Sequence, residues 1–192
     1  MAAAPREYLS PEEYLAFERR AETKHEYVDG VLVAMVGGSP THSQIAMNAG
    51  VALAVQLRGR PCIVYNSDLK VGIAKLRAYA YPDVTVICGT PQFGENERDV
   101  LLNPLVIVEV LSPSTEHYDR TGKFLRYQRI PNFAEYLLIA QDKPLVELCS
   151  RQPDGMWEWL KVECLEATIA IPSLDCTLAL ADIYNNVEFA DA

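Results

Sequence analysis

The fold of this chain is decided by the stretch VIVEVL, residues 106–111, in which Glu109 interrupts an otherwise apolar run. A near-continuous apolar run of this kind is typical of a central strand that is covered on both faces. A lone carboxylate is costly to bury, so a glutamate in such a strand is normally paired with a cation or bound to a metal ion. Two interpretations of Glu109 follow: a structural salt bridge to a neighbouring Arg or Lys, or a functional site.

The second informative stretch is YPDVTVIC, residues 81–88, which opens on Tyr81 and continues after Pro82-Asp83 as β-branched and apolar residues. Such a run is typical of a strand. A Pro-Asp pair at its start places the Asp83 carboxylate at the end of the sheet. The two stretches therefore predict one acid at the end of a central sheet and one inside it.

A helix predicted from Asp119 to about Arg129 carries polar side chains along one face. A spacing of four residues separates Asp119, Lys123 and Tyr127. Their directions around the helix are about 0°, 40° and 80°, with Arg126 at about −20°. The opposite face, which we expect to pack on the core, carries Thr121, Phe124 and Leu125. The alternative is a solvated face with an ion pair between Asp119 and Lys123.

Helices and strands are predicted on either side of these stretches. Ser10 and Glu13 can close a capping box at the start of a first helix that ends near Arg20. Asp29-Gly30, between two apolar runs, predicts a β-hairpin. An apolar-rich helix that includes Ile45 to Leu57 is expected to end before Gly59, and a final helical turn is expected at 181–185. The segments with strand character are 26–28, 31–33, 62–65, 69–73, 83–88, 105–111, 135–139, 145–149, 157–164 and a short stretch near Ile169.

Residues 1–192 are predicted to form a single domain, because no repeat, low-complexity segment or linker divides them. The composition, 49% hydrophobic and 22% charged, is that of an ordinary globular protein. The predicted fold class is α/β, with α+β character: a central mixed β-sheet flanked by helices, preceded by an N-terminal helix and β-hairpin.

The net charge of −9 argues against a protein whose whole surface coats nucleic acid. The charge is uneven, however. Residues 58–77 carry five basic and one acidic side chain, and residues 116–129 carry four and two. Residues 140–192 carry three basic and ten acidic side chains. Any DNA affinity is therefore expected to be local, weak, strongly salt-dependent and helped by divalent ions.

The cysteines and the N-terminus indicate a cytoplasmic protein. The five cysteines lack CxxC spacing, so we expect five buried, reduced thiols and no zinc site. The first residues lack the apolar core of a signal peptide. The apolar runs are too short to cross a bilayer, so no membrane association is expected.

Several residues together carry a resemblance to a known superfamily. They are Glu26, Asp29-Gly30, His42, Pro82-Asp83, the run from Glu109 to Thr115, Asp119, Lys123, Tyr127 and Glu135-Tyr136. In this combination the chain resembles the PD-(D/E)XK nuclease superfamily, which has the restriction-endonuclease-like fold. Within it, the chain is most similar to a bacterial branch formerly classed as a domain of unknown function. The resemblance covers nearly the whole chain, and its specific part runs from Pro82 to Tyr136.

The resemblance implies a DNA endonuclease that depends on Mg²⁺ or Mn²⁺. It implies that Asp83 and Glu109 bind the metal, together with the carbonyl of Val110. The chain departs from the superfamily pattern at Leu111, where a lysine is usual, and the resemblance makes Lys123 its substitute. Lys123 would orient the attacking water or stabilise the charge that develops on the phosphorus centre.

The resemblance also implies supporting roles. Glu26 would be an additional catalytic acid, with an exposed strand residue as the alternative. Asp119 and Tyr127 would orient Lys123, and the protein would form a homodimer or higher homo-oligomer. For His42 a capping or loop-packing role is expected. Asp68 is either a fourth acid near the site or part of an Asx turn.

Two other functions fit the same sequence. One is a catalytically silent protein that binds nucleic acid or serves assembly on the same fold. The other is a phosphodiesterase that acts on RNA or a smaller substrate. The position of Lys123 discriminates between a catalytic and a silent binding protein. A lysine beside the carboxylates of Asp83 and Glu109 favours catalysis. A lysine that forms a salt bridge elsewhere on the surface favours binding.

Overall fold

The computed structural model describes residues 8–73, 77–94 and 97–189. The helical segments are α1 (Pro11–Glu18), α2 (Pro40–Gln56), α3 (Glu116–Tyr118), a π-helical turn (Asp119–Lys123), α4 (Phe124–Tyr127), a 3₁₀ turn (Pro172–Leu174) and α5 (Leu180–Ile183). The strands are β1 (His25–Val28), β2 (Val31–Ala34), β3 (Cys62–Asn66), β4 (Lys70–Ile73), β5 (Ala78–Ala80), β6 (Val84–Cys88), β7 (Phe93–Gly94), β8 (Glu97–Leu101), β9 (Val106–Leu111), β10 (Glu135–Ala140), β11 (Leu145–Arg151), β12 (Trp157–Glu163), β13 (Thr168–Ile171) and β14 (Cys176–Ala179). Among these described helices, none is long and apolar enough to span a membrane.

The central sheet runs in the order β12-β11-β10-β9-β6-β3. Strands β9 and β10 are parallel, and the other neighbouring pairs are antiparallel. Every residue of β9 is buried, as predicted for a strand that is covered on both faces, and every residue of β10 is buried as well. The mixed sheet predicted from the sequence is therefore confirmed.

A second sheet, in the order β2-β1-β5-β4-β8-β7, contains the N-terminal hairpin. Strands β13 and β14 form a separate antiparallel pair. Four strands, β5, β7, β8 and β14, were not predicted. Strands β5 and β7 have only three and two residues, which is too short for apolar alternation to identify them. Strands β8 and β14, ERDVL and CTLA, lack a run of β-branched or aromatic residues.

Two hydrophobic clusters cover the two faces of the central sheet. Helix α2 packs on one face, in a cluster that includes Val108 and Val110. On the other face, Phe124 and Tyr127 pack together with strands β4 and β5 of the second sheet. Because successive residues of a strand point to opposite faces, Glu109 is directed to this second face.

The N-terminal region matches its prediction closely. The Ser10 hydroxyl accepts the amide of Glu13 at 3.2 Å, and the Glu13 carboxylate accepts the amide of Ser10 at 2.7 Å. The capping box therefore forms, although α1 ends two residues earlier than expected. Asp29 and Gly30, with φ of 50° and 88°, form the turn between β1 and β2. Glycine suits this left-handed conformation, which explains why Asp-Gly indicates a hairpin.

The single continuous helix predicted to begin at Asp119 is not what the structure contains. The chain winds as α3, then a π-helical turn, then α4. The hydroxyl of Tyr136 donates to the backbone carbonyl of Asp119 at 3.2 Å, which satisfies a carbonyl in the widened turn. The side-chain directions predicted with a constant rotation per residue therefore do not hold across this turn. Phe124 is buried as predicted, whereas Thr121 and Leu125 are exposed, which corrects their assignment to the core.

The cysteines differ from the predicted five buried thiols. Cys62 and Cys88 form a disulfide, with their Cα atoms 4.0 Å apart. Cys164 is exposed, and Cys149 and Cys176 are buried free thiols. The two bonded cysteines are direct partners in the register of β3 and β6. Their sequence separation of 26 residues concealed this proximity.

Candidate active site

Lys123 lies at the centre of a buried acidic cluster. Its side chain is 9% exposed, and Nζ lies 3.0 Å from Oε1 of Glu109 and 3.0 Å from Oε1 of Glu26. Oδ1 of Asp119 is 3.5 Å away, a longer ion pair. The ion pair between Asp119 and Lys123 that the alternative predicted is present. The solvated face is wrong, however, since the ammonium points into the protein toward three carboxylates.

The helical turn beside Glu109 sets the position of the lysine. Asp119 and Lys123 are the first and last residues of the π-helical turn, a form often found at functional sites. The hydroxyl of Tyr127, which lies in α4, donates to Oε1 of Glu109 at 3.1 Å. The same carboxylate oxygen thus receives both the ammonium and the phenol, which fixes the orientation of Glu109.

Glu26 reaches the cluster from the N-terminal sheet. It lies in β1, and its Oε1 accepts the amide of Tyr81 at 3.3 Å in addition to the Lys123 ion pair. Its side chain is 7% exposed, so the alternative of a solvent-exposed strand residue is wrong. Because Tyr81 directly precedes Pro82-Asp83, Glu26 connects the N-terminal sheet to the start of β6.

Asp83 lies at the start of β6, beside Glu109. The antiparallel register of β6 and β9 pairs Val84 with Val108. Extended by one residue, this register places Asp83 opposite Glu109. The charge of Asp83 contributes to raising the pKa of Glu109, which agrees with this proximity.

The Asp83 carboxylate has two further partners. Oδ2 accepts the amide of Val110 at 2.7 Å, and Nε2 of His42 lies 3.2 Å from the same oxygen. His42 does not merely cap or pack the loop, as expected, but contacts a predicted site residue. Their separation of 41 positions concealed the contact, although the position of His42 in the first turn of α2 could have suggested an inward-facing side chain.

Burial and mutual interactions shift the pKa values of the groups in the acidic cluster. Burial raises the pKa of Glu109 well above its usual range, and Asp119, Asp83 and Glu26 raise it further, whereas Lys123 opposes the shift. Burial also raises the pKa of Asp119, against the effect of Lys123. For Lys123, burial alone lowers the pKa, but the carboxylates outweigh it and raise the pKa. The cluster therefore keeps Lys123 protonated, while burial opposes full ionisation of the carboxyl groups around it.

His42 responds to the same surroundings. The hydrogen bond to Asp83 raises the pKa of His42, and burial acts against it. The charge of Asp83, the backbone of Val110 and the charge of Asp119 raise the pKa further. The imidazole therefore contacts the carboxylate of Asp83, a predicted metal ligand.

The donor atoms present fit a hard divalent cation. Within residues 8–73, 77–94 and 97–189, no three His, Cys, Asp or Glu side chains form a group that could hold a metal ion by themselves. Mg²⁺ needs only one or two carboxylates, because water and substrate oxygens complete its shell. The contacts found in the described chain use Oδ2 of Asp83 and Oε1 of Glu109. These two carboxylates and the Val110 carbonyl provide three oxygen donors.

One predicted candidate, Asp68, lies outside the acidic cluster, and one contributing residue, Tyr81, was not predicted to belong to the site. Asp68 forms the Asx turn, since Oδ1 of Asn66 accepts its amide at 3.2 Å, and its carboxylate pairs with Lys24 at 2.5 Å. It does not join the cluster. Tyr81 supports Glu26 through its backbone, and only its position before Pro82-Asp83 could have suggested this role.

Comparison with solved structures shows the fold. A crystal structure titled as that of a "putative nuclease belonging to DUF820", from Anabaena variabilis ATCC 29413, matches with a TM-score of 0.75. The match covers 92% of this chain and 97% of that chain, at 18% sequence identity. The chain therefore shares the fold of this protein over nearly its whole length.

Sequence comparison shows the family. The chain matches Uma2, described as "Putative restriction endonuclease", over residues 11–181, and it belongs to this family. It is 38% identical over 187 residues to the uncharacterized protein slr1290 of Synechocystis sp., covering 97% of both chains. It is 35% identical over 157 residues to the uncharacterized protein sll1609 of the same organism, covering 82% of this chain and 89% of that one.

Proposed function

We propose that this chain is a metal-dependent endonuclease that hydrolyses DNA phosphodiester bonds. Asp83, Glu109 and the carbonyl of Val110 would hold a divalent ion, Mg²⁺ or Mn²⁺. The observation that carries this proposal is the Lys123 ammonium, which is buried 3.0 Å from the Glu109 carboxylate. A buried cation beside strongly perturbed carboxylates is costly to maintain and is characteristic of functional sites.

The chain's own groups have distinct tasks in this hydrolysis. A bound divalent ion polarises the phosphate and lowers the pKa of its water. Lys123 donates a hydrogen bond to the attacking water or to the phosphate oxygen on which charge develops. Glu26 and Asp119 hold the ammonium in position and keep it protonated. Tyr127 restricts the rotation of Glu109, which would keep its carboxylate in place to hold the ion.

The test is cleavage of supercoiled plasmid with Mg²⁺ or Mn²⁺ by wild type, Asp83→Asn, Glu109→Gln and Lys123→Met. We expect each variant to lose about 10²–10³-fold in rate, as when one transition-state donor is removed. Lys161→Met is the matched control, because Lys161 is 56% exposed and also pairs with a glutamate. It is expected to cleave at the wild-type rate.

Other outcomes would assign the chain differently. Cleavage of RNA alone, still dependent on Lys123, would make the protein a ribonuclease. DNA binding without cleavage of plasmid, single-stranded DNA or RNA would contradict the nuclease and leave a catalytically silent binding protein.

We also propose that two copies of the chain associate through α2. Met47, Val51 and Val55 recur every four residues on this helix and are 62%, 52% and 57% exposed. Residues 31–57 contain no Asp, Glu, Lys or Arg. A helix with an apolar outer face normally has a protein partner. Because the chain has a net charge of −9, this uncharged face is where two copies repel each other least.

Light scattering after gel filtration tests the dimer. We expect wild type to have twice the chain mass of 21.4 kDa and Val51→Lys to be monomeric. Leu160→Lys is the control, since Leu160 is 50% exposed on β12, away from α2. A monomeric wild type would contradict this proposal.

A further inference from the structure

Three local features hold the His42 imidazole at one place. His42 is in the first turn of α2, where the Ser39 hydroxyl caps the helix by accepting the His42 amide at 3.0 Å. The ring fills space that only a glycine leaves free. A Cβ at Gly38 would lie 2.7 Å from Nδ1 and 3.0 Å from Cγ of the imidazole. Gly38 and Ser39, directly before α2, therefore fix the position of this side chain.

The seated ring presents Nε2 to the predicted metal ligands. Nε2 lies 3.2 Å from Oδ2 of Asp83, and the same oxygen accepts the amide of Val110 at 2.7 Å. The side chains of His42 and Asp83 are 18% and 15% exposed. Glu109, by contrast, is only 5% exposed. Water and ions therefore reach the His42–Asp83 side of the cluster more readily than the Lys123 side.

The separation of the two atoms suits coordination of one ion. Ligands at neighbouring positions of an octahedral ion, each about 2.1 Å from the metal, lie about 3 Å apart. The 3.2 Å between Nε2 of His42 and Oδ2 of Asp83 is close to this spacing. Imidazole binds transition metals well, whereas Mg²⁺ prefers oxygen ligands.

We propose that Nε2 of His42 is a direct metal ligand, beside Asp83 and the Val110 carbonyl, and that the site therefore selects Mn²⁺ or a similar transition-metal ion over Mg²⁺. This inference rests on the metal site of the proposed nuclease. It goes further by adding a nitrogen ligand and by defining the class of ion. It makes a spectroscopic prediction that does not depend on cleavage.

The direct test is pulsed electron paramagnetic resonance of Mn²⁺ bound to the wild-type protein without DNA. A coordinated imidazole couples its nitrogen nucleus to the metal electrons. We expect ¹⁴N modulation in unlabelled protein and its replacement by ¹⁵N coupling in protein labelled with ¹⁵N-histidine. This measurement needs no variant, so a folding defect does not affect it. Bound Mn²⁺ without histidine coupling would overturn the inference.

Variants then identify which histidine is the ligand. In His42→Gln we expect the nitrogen coupling to vanish and Mn²⁺ affinity, measured by calorimetry, to fall by about tenfold or more. Mg²⁺ affinity should change much less, so the Mn²⁺-over-Mg²⁺ preference should narrow. His117→Gln is the matched control, because His117 is exposed on α3. Coupling that persists in His42→Gln, or an unchanged preference, would refute the assignment.

Failure of this inference is distinguishable from failure of the nuclease proposal. Mn²⁺ that binds without nitrogen coupling, but is lost in Asp83→Asn, would overturn the role of His42 and leave the carboxylate site intact. Histidine coupling in a protein that cleaves no nucleic acid would support His42 as a ligand and contradict the nuclease. Absence of any Mn²⁺ binding would overturn the ligand role, and the plasmid assay would then decide the nuclease separately.

Discussion

Replacement of Lys123 by methionine removes one buried charge and keeps the length of the side chain. The ammonium lies 3.0 Å from both Glu26 and Glu109 and 3.5 Å from Asp119. Loss of one partner from a buried ion pair costs about 3–5 kcal/mol. Three carboxylates lose their counter-charge here, which favours the upper half of this range. Proton uptake limits the cost, because each unit of pKa shift corresponds to about 1.4 kcal/mol.

We therefore expect Lys123→Met to lower the free energy of unfolding by about 4 kcal/mol, measured by urea denaturation at pH 7. Lys161→Met is again the control. Its pair with Glu163 has a similar N–O distance of 2.7 Å, but the two side chains are 56% and 58% exposed. Exposed pairs contribute about 0.2–1 kcal/mol. The comparison therefore separates the effect of burial from the effect of charge pairing.

A second variant shows whether the cost comes from unpaired negative charge. In Lys123→Met with Glu109→Gln, one of the orphaned carboxylates is neutral. We expect the double variant to be more stable than the sum of the single effects predicts, by about 2 kcal/mol, within the range for contacting residues. Strictly additive effects, or a Lys123→Met variant within 1 kcal/mol of wild type, would refute the reasoning from the buried cluster.

Three further predictions concern other parts of the chain. Arg19 and Lys70 hold the pKa of Asp99 at about 2, against the effect of burial. The stabilisation that this lowered pKa gives is present above the unfolded pKa and is lost as the pH falls toward 2. The unfolding free energy of Asp99→Asn should therefore fall less than that of wild type between pH 4 and pH 2. We expect the difference to be about 1 kcal/mol after solvent screening. Thiol titration should find three reactive groups in unfolded, unreduced protein and five after reduction, because Cys62 and Cys88 are bonded; five without reduction would contradict the disulfide. Gly38→Ala should displace the His42 ring and weaken Mn²⁺ binding severalfold, with little change in thermal stability because residue 38 is exposed; calorimetry showing unchanged binding would contradict this.

Local signals in the sequence predicted local structure well. The capping box at Ser10 and the Asp29-Gly30 hairpin involve residues within a few positions of one another. The burial of Glu109 followed from its apolar neighbours alone. The clustering of Glu26, Asp83, Glu109 and Lys123 was reached through the family resemblance, since no spacing rule connects β1 with β9.

The features that sequence could not provide all depend on long-range register. The Cys62–Cys88 pair and the His42–Asp83 contact join residues that are 26 and 41 positions apart. Each becomes adjacent only when β6 takes its place between β3 and β9. The short strands β5 and β8 likewise exist because of their partners in the second sheet rather than because of their own composition. The π-helical turn was missed for a different reason: amphipathic periodicity assumes a uniform winding of the helix.

That winding has an evolutionary consequence. A π-helical turn is an α-helix that has accommodated about one additional residue. A single inserted or deleted codon between Asp119 and Lys123 would therefore rotate everything on one side of it by about 100° relative to the other. The lysine would move away from Glu109 while the fold persisted. Relatives that gained or lost this one residue would keep the same fold. A side chain other than the lysine would then face the buried carboxylates. Alignments of the family should treat this position as a point where function can diverge without any change of architecture.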